Sequence, residues 1–98
     1  MVITILEAHV APEKVALLEE AYEQGIERLD AGINQTFLLR SSNNPSAWRI
    51  LTVWQSAEAL DAMRRSGETP RGVLMFRAAE ADPSLSVFEV VAYAAAPE

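Results

Sequence analysis

The chain has 98 residues, of which 50% are hydrophobic, and its 14 acidic and 8 basic side chains give a formal net charge of -6. A chain of this length predicts one domain, spanning residues 1–98. Its acidic balance argues against nucleic acid and anionic membrane surfaces as main partners, because both attract clusters of Lys and Arg. The lack of cysteine excludes disulfides, thiol nucleophiles and thiolate metal sites.

The N-terminal segment predicts no targeting signal. Residues 1–14 lack a basic region and become polar too early for a signal peptide. No apolar run in the sequence is long enough to span a bilayer. We therefore expect a soluble cytoplasmic protein.

The first half of the chain reads as a strand followed by a helix. Residues 2–10 are β-branched and apolar, which predicts a strand. Pro12 suits the first turn of the helix that follows, and Gly32 predicts its end. Gly25 lies inside this helix and indicates a close approach by another element, since glycine weakens a helix. The apolar residues that recur at helical spacing are Val15, Leu18, Tyr22, Ile26 and Leu29.

The second half predicts a hairpin, a helix, a short helix and a last strand. Residues 33–40 and 48–54 read as strands, joined by the turn residues 41–46. Ser56 is a suitable N-cap for a helix that ends near Gly67. The remaining elements are expected at 71–81, as a short helix capped by Thr69 and Pro70, and at 84–94, as a strand.

This order of elements is the ferredoxin-like, split βαβ arrangement (βαββαβ) of the α+β class, with helices on one face of an antiparallel sheet. The strands are nevertheless bulky on both faces: Trp48 and Trp54 alternate with Leu51 and Val53. Strands that are apolar on both faces indicate a sheet covered on both sides. A second copy of the chain would cover the free face, which predicts a homodimer. The alternative is a monomer with one half-exposed apolar face.

Residues 31–62 resemble the hairpin and second helix of the antibiotic biosynthesis monooxygenase (ABM) family. The residues that carry the resemblance are Gly32, Asn44–Pro45, Val53–Trp54, Ser56, Glu58, Ala59 and Leu60, with 10–14 and 87–91 similar to the family's first helix entry and last strand. The resemblance implies a dimeric α+β barrel with a pocket between helices and sheet in each subunit. The family includes quinol and anthrone monooxygenases that need no metal or flavin, as well as haem-degrading enzymes and members without known activity.

Trp54 matches a tryptophan of the family and is the leading candidate for the site. As an aromatic wall it would stack on a flat substrate and donate its indole N–H, although a purely structural role in the core is the alternative. Tyr22 could add a hydroxyl to the same pocket. If the hairpin turns symmetrically about Asn43–Asn44, Gln35 and Phe37 share the face of Trp54 with Ile33 and Leu39, whereas a slip of one residue would reverse this. The expected substrate-binding set is therefore Tyr22, Gln35, Phe37 and Trp54.

His9 is the only histidine and, with Trp54, a candidate catalytic residue, because its reference pKa lies near neutrality. Strand alternation, however, puts Glu7 and His9 on the face away from the helices, which favours a structural position at the dimer barrel or its rim. One histidine without cysteine does not predict a metal site.

Two departures from the family bear on cofactors. Leu6 and Met63 stand where haem-degrading relatives carry polar side chains. These departures argue against haem degradation and leave oxygenation without an obvious base. The resemblance then implies a monooxygenase that needs no cofactor and acts on a small flat phenolic or quinol substrate. The alternatives are a non-catalytic dimeric module that binds a small hydrophobic molecule and a structural dimer without ligand. The sequence does not name the substrate.

Overall fold

The computed structural model describes residues 1–97, which form one antiparallel sheet with helices on one side, in the ferredoxin-like arrangement predicted. The strands are β1 (Val2–His9), β2 (Ile33–Arg40), β3 (Ala47–Trp54) and β4 (Ser84–Glu89), and they lie in the order β2-β3-β1-β4. The helices are α1 (Val15–Gly25), which follows a 3-10 turn at Pro12–Lys14, α2 (Ala57–Arg65) and α3 (Arg71–Ala78). None of the helices within residues 1–97 is long and apolar enough to cross a membrane.

Helix α1 ends at Gly25 and not at Gly32 as the periodicity predicted. A Cβ at Gly25 would collide with the side-chain methyl of Met75 on α3, so the predicted close approach at this glycine is confirmed. Glycine also has a low helix propensity, which favours an end to the helix here. Residues 26–32 consequently leave α1 as a non-helical connection to β2.

The C-terminal elements are also shorter than predicted. β4 ends at Glu89 because β1, its one neighbour within residues 1–97, begins at Val2, the residue opposite Glu89. One further backbone bond follows, from the N–H of Val90 to the carbonyl of Met1 (3.1 Å), and no partner remains for the residues beyond, up to 97. Helix α3 ends at Ala78 rather than at residue 81, just before Glu80, whose φ of 57° lies in the left-handed region.

Helix α2 begins as predicted: the Ser56 side chain accepts a hydrogen bond from the backbone N–H of Ala59 at 3.1 Å. Helix α3 has Pro70 at its N-cap position, without a side-chain cap from Thr69. Lys14 pairs with Glu80 and joins the start of α1 to the end of α3. The hydrogen bond and charge of Glu80 raise the pKa of Lys14 above its ordinary value.

The face of the sheet that the helices cover holds two separate clusters of buried side chains. The larger packs β1 and β3 against α1 and α3 around Leu18 and Phe76, which are completely buried. The smaller consists of Val2, Trp54 and Leu60, under α2. A core divided in this way leaves space between its two parts.

On the opposite face of the sheet, several large apolar side chains are not covered by any part of residues 1–97. Phe37 is 42% exposed, Leu39 41% and Phe88 52%. The pairing of the strands puts these side chains on the face of Ile3 and Leu51, away from the helices. The predicted two-sided hydrophobicity is therefore a property of the folded sheet.

Candidate functional site

A cavity of about 290 Å³ lies between the two clusters of the core. Its apolar wall takes Leu6, Ile50 and Met75 from the larger cluster and Trp54 and Leu60 from the smaller. Ligand pockets commonly span roughly 300–1,000 Å³, so this cavity suits a small molecule. The gap that divides the core into two clusters is therefore the cavity itself.

Trp54 forms one wall of this cavity and is held on two sides. Its side chain is buried, and its indole N–H donates to the hydroxyl oxygen of Thr4 at 3.1 Å. Gly32 (φ 90°) lies behind the ring, with its Cα so close to α2 that a Cβ there would stand 2.5 Å from the Cβ of Ala59. Trp54 therefore lines a pocket, as the sequence led us to expect. Its contact with a ligand stays a prediction.

A row of three threonines crosses the floor of the cavity. Thr36 of β2 lies opposite Thr52 of β3, and Thr52 lies opposite Thr4 of β1, so the three hydroxyl groups occupy neighbouring strands on one face. Sequence reasoning did not single them out as a site. Strand alternation already put Thr4 on the helix-facing side of β1 and Thr52 on the face of Trp54, but their alignment with Thr36 depends on the strand register.

Tyr22 lies at the edge of this row and does not line the cavity itself. Its hydroxyl donates a long hydrogen bond, 3.4 Å, to the hydroxyl of Thr36. The side chain is half-buried and packs against the larger cluster. Tyr22 therefore reaches the cavity through Thr36, and its predicted contact with a substrate remains a proposal.

The expectation that Gln35 and Phe37 share the face of Trp54 is wrong. In the structure Leu38 lies opposite Ile50, and Phe37 lies opposite Leu51, so Gln35 and Phe37 point to the outer face. The reason is the position of the hairpin turn, which is shifted by one residue from the symmetric position and so moves the side chains of β2 to opposite faces. A β-bulge at Asn34 compensates for this and returns Ile33 to the face of Trp54.

The loop register has a local cause in the turn residues. The backbone N–H of Ser41 donates to the carbonyl of Ala47 at 2.9 Å, and the side-chain oxygen of Asn44 accepts from the backbone N–H (3.3 Å) and the hydroxyl (2.8 Å) of Ser46. The turn is thereby centred on Asn44 and not between Asn43 and Asn44. Sequence alone did not distinguish these two registers, as side chains of this kind bind the backbone in several turn geometries.

His9 lies outside the cavity, on the exposed outer face of β1, as strand alternation predicted. Its Nδ1 atom is 3.4 Å from the hydroxyl of Ser46. The assignment of His9 as a catalytic candidate therefore gains no support from this pocket. Within residues 1–97 no group of three His, Cys, Asp or Glu side chains is placed to hold a metal ion.

The connection at 26–30, called here the strap, lies across one side of the cavity and contributes Ile26, Arg28, Leu29 and Asp30 to its lining. Arg71, at the start of α3, holds the strap in place. Its guanidinium donates to the carbonyl oxygens of Gly25 (3.3 Å) and Arg28, and it pairs with the Asp30 carboxylate at 3.3 Å. The sequence periodicity assigned these residues to a longer α1, so the sequence did not predict the strap.

The sequence matches one protein family over most of its length. The profile described as "Antibiotic biosynthesis monooxygenase" matches residues 1–73. No curated protein matches the chain.

Solved structures share the fold at low sequence identity. A protein from Deinococcus radiodurans, provisionally assigned as an antibiotic biosynthesis monooxygenase, is 15% identical, with full coverage of both chains and a TM-score of 0.73. SnoaB of Streptomyces nogalater, a cofactor-independent oxygenase solved as a point mutant, is 16% identical over 94% of each chain, with a TM-score of 0.68. A point mutant of MhuD, which holds two manganese protoporphyrin IX molecules per active site, is 21% identical over 98% of this chain and 100% of its own, with a TM-score of 0.71.

Proposed function

Because the chain belongs to the antibiotic biosynthesis monooxygenase family, we propose that it oxygenates a small flat phenolic or quinol substrate without a cofactor. The observation that carries this proposal is the apolar cavity with Trp54 as one wall and a row of threonine hydroxyls as its floor. Such a lining, largely apolar with a few polar groups, is typical of small-molecule sites.

The reaction requires no electron donor besides the substrate. With 1,4-dihydroxynaphthalene as an example, one molecule of substrate and one of O2 give 2-hydroxy-1,4-naphthoquinone and one of water. The substrate anion transfers an electron to O2, a C–O bond forms at the ring, and the O–O bond breaks. One oxygen atom stays on the ring, and the other leaves as water with two hydrogens from the substrate.

The protein would contribute orientation and exclusion of water. Trp54 offers a flat surface on which an aromatic ring stacks. Thr52 stands between Thr4 and Thr36, which are already engaged by Trp54 and Tyr22, so its hydroxyl is the one of the row without a side-chain partner in residues 1–97. We propose that Thr52 binds an oxygen atom of the substrate.

A second candidate function is a non-catalytic module that binds a small hydrophobic molecule. The composition of the lining favours it: Asp30 is the one carboxylate among the lining residues within 1–97, and it is paired with Arg71. His9 lies on the other face of the sheet. A cavity without a free base is compatible with binding alone, or with an oxygenation in which the substrate is already ionised.

We also propose that the protein works as a homodimer whose sheets pack face to face. The support is the outer face of the sheet, where large apolar side chains such as Phe37 and Phe88 stay exposed. Exposed apolar patches of this kind mark association surfaces. A cytoplasmic location fits an oxygenase of this class and is part of the same proposal.

The experiment that tests the proposed function follows the fate of oxygen. The protein is mixed with 1,4-dihydroxynaphthalene under 18O2, and products are identified by mass spectrometry. Enzymatic oxygenation should yield the hydroxyquinone with one 18O atom on the ring. Spontaneous oxidation instead yields the unsubstituted quinone and hydrogen peroxide, so peroxide without labelled hydroxyquinone, at the rate of a protein-free control, would contradict catalysis. Binding of a flat aromatic without turnover would favour the second candidate function.

A further inference from the structure

The lining of the cavity carries a charge opposite to that of the chain. The formal net charge of the protein is -6. Within residues 1–97, the charged side chains that line the cavity are nevertheless three arginines, Arg28, Arg64 and Arg71, against the one carboxylate of Asp30. At long range an anion is repelled by this protein, so a local excess of guanidinium groups at the cavity is a specific feature of the site.

The three arginines do not have the same task. Arg71 is committed to the strap, through two backbone carbonyls and the ion pair with Asp30. Arg28 and Arg64 have no ion pair and no side-chain hydrogen bond to any residue of 1–97, and both are exposed to solvent. They come from different elements, Arg28 from the strap and Arg64 from the last turn of α2, and both line the same cavity.

We propose that the cavity selects a flat aromatic ligand that carries a carboxylate, and that Arg64 and Arg28 bind this carboxylate at the rim while the ring lies against Trp54. The proposal rests on the proposed function of the cavity as a site for small aromatic molecules. A guanidinium group fits a carboxylate in a bidentate geometry and forms charge-assisted hydrogen bonds with it. At the rim the carboxylate keeps part of its hydration, while the ring is buried in the apolar interior.

Arg64 also has a local explanation that needs no ligand. Arg64 and Arg65 are adjacent at the C-terminal end of a helix, where basic side chains commonly interact favourably with the helix dipole. Only Arg64 lines the cavity, whereas Arg65 does not. This difference between neighbours provides a matched control, since both substitutions remove one positive charge from the same helix end.

The test compares 2-naphthoate with 2-naphthamide, which have similar shape and differ in charge. Calorimetry should give about tenfold tighter binding of the naphthoate to the wild-type protein, because charge-assisted hydrogen bonds exceed neutral ones even where solvent screens them. Arg64→Gln should reduce this preference to about twofold or less, with Arg28→Gln acting in the same direction. Arg65→Gln should leave it unchanged, and circular dichroism would confirm that each variant is folded. The preference should also fall at high salt.

Three outcomes would overturn the proposal. Equal binding of the two probes to the wild type removes the carboxylate preference but leaves a cavity for neutral aromatics, so the proposed function survives. An equal loss in Arg65→Gln and Arg64→Gln attributes the preference to general surface charge. Absence of binding by both probes contradicts this proposal and the proposed aromatic site together.

Discussion

The indole N–H of Trp54 donates to the hydroxyl oxygen of Thr4, at 3.1 Å, from the last residue of β3 to the third residue of β1. Both groups are buried at the cavity wall. The bond fixes the plane of the indole ring, because a hydrogen bond from the ring edge leaves it little freedom to rotate. Trp54 therefore presents a fixed aromatic surface to the cavity.

Trp54→Phe should keep the fold, weaken binding of 2-naphthamide several-fold and lower stability by about 1–2 kcal/mol, because Thr4 loses its buried donor. Trp48→Phe is the matched control. Trp48 is buried on the same face, but its indole N–H has no partner within residues 1–97 and it does not line the cavity. Melting temperature and calorimetry on both variants check this. A loss of stability in Trp54→Phe without a change in affinity would assign Trp54 to the core alone.

Gly32→Ala should destabilise the protein by about 2–3 kcal/mol, from strain at φ 90° together with the collision of the new Cβ with Ala59. Gly67→Ala separates the two causes. Gly67 also has a positive φ (77°), but a Cβ there meets no atom within 4 Å. Urea unfolding should give a smaller loss, about 1 kcal/mol, for Gly67→Ala. Equal losses would show that the contact between Gly32 and α2 adds no constraint.

Arg71→Gln should loosen the strap, because a neutral amide at this position replaces neither the ion pair with Asp30 nor the full set of bonds to the strap carbonyls. Amide hydrogen exchange of the strap, residues 26–30, should become faster, and that of β1 should stay unchanged. Arg77→Gln, near the other end of α3, serves as the control. Unaltered exchange in the strap would mean that other contacts hold it.

The wild-type protein should have the mass of a dimer in light scattering at low micromolar concentration. Phe37→Glu and Phe88→Glu introduce charge on the outer face of the sheet and should shift the mass toward the monomer. Leu74→Glu changes an equally exposed residue on α3, away from that face, and should leave the dimer intact. A wild-type monomer would contradict the face-to-face assembly.

Haem should not be turned over. Leu6 and Met63, at positions where haem-degrading relatives are predicted to carry polar groups, both line the cavity, and no histidine does so among residues 1–97. Addition of haem and then a reductant should therefore give no open-chain product in the absorption spectrum. The appearance of such a product would contradict the expectation that haem is not a productive ligand.

The sequence by itself determined the order of elements, the capping of α2 by Ser56 and the helix-facing side of β1. These features depend on local chemistry and on periodicity, which a single segment carries within itself. The two-sided hydrophobicity of the strands was evident for the same reason. Trp54 was identified as a candidate because its position at the end of β3 matched the family.

Only the tertiary structure decided which side chains meet at the cavity. Thr36 faces the cavity in place of the expected Gln35 and Phe37, because the hairpin turn is centred on Asn44 and not between Asn43 and Asn44. A shift of one residue in register moves every side chain of a strand to the other face. The strap falls within a continuous helical pattern of the sequence. It leaves α1 at Gly25, which lies against Met75 of a distant segment. Arg64 likewise lines the cavity, and Arg65 does not, because of how α2 packs against the sheet. No local sequence pattern encodes that packing.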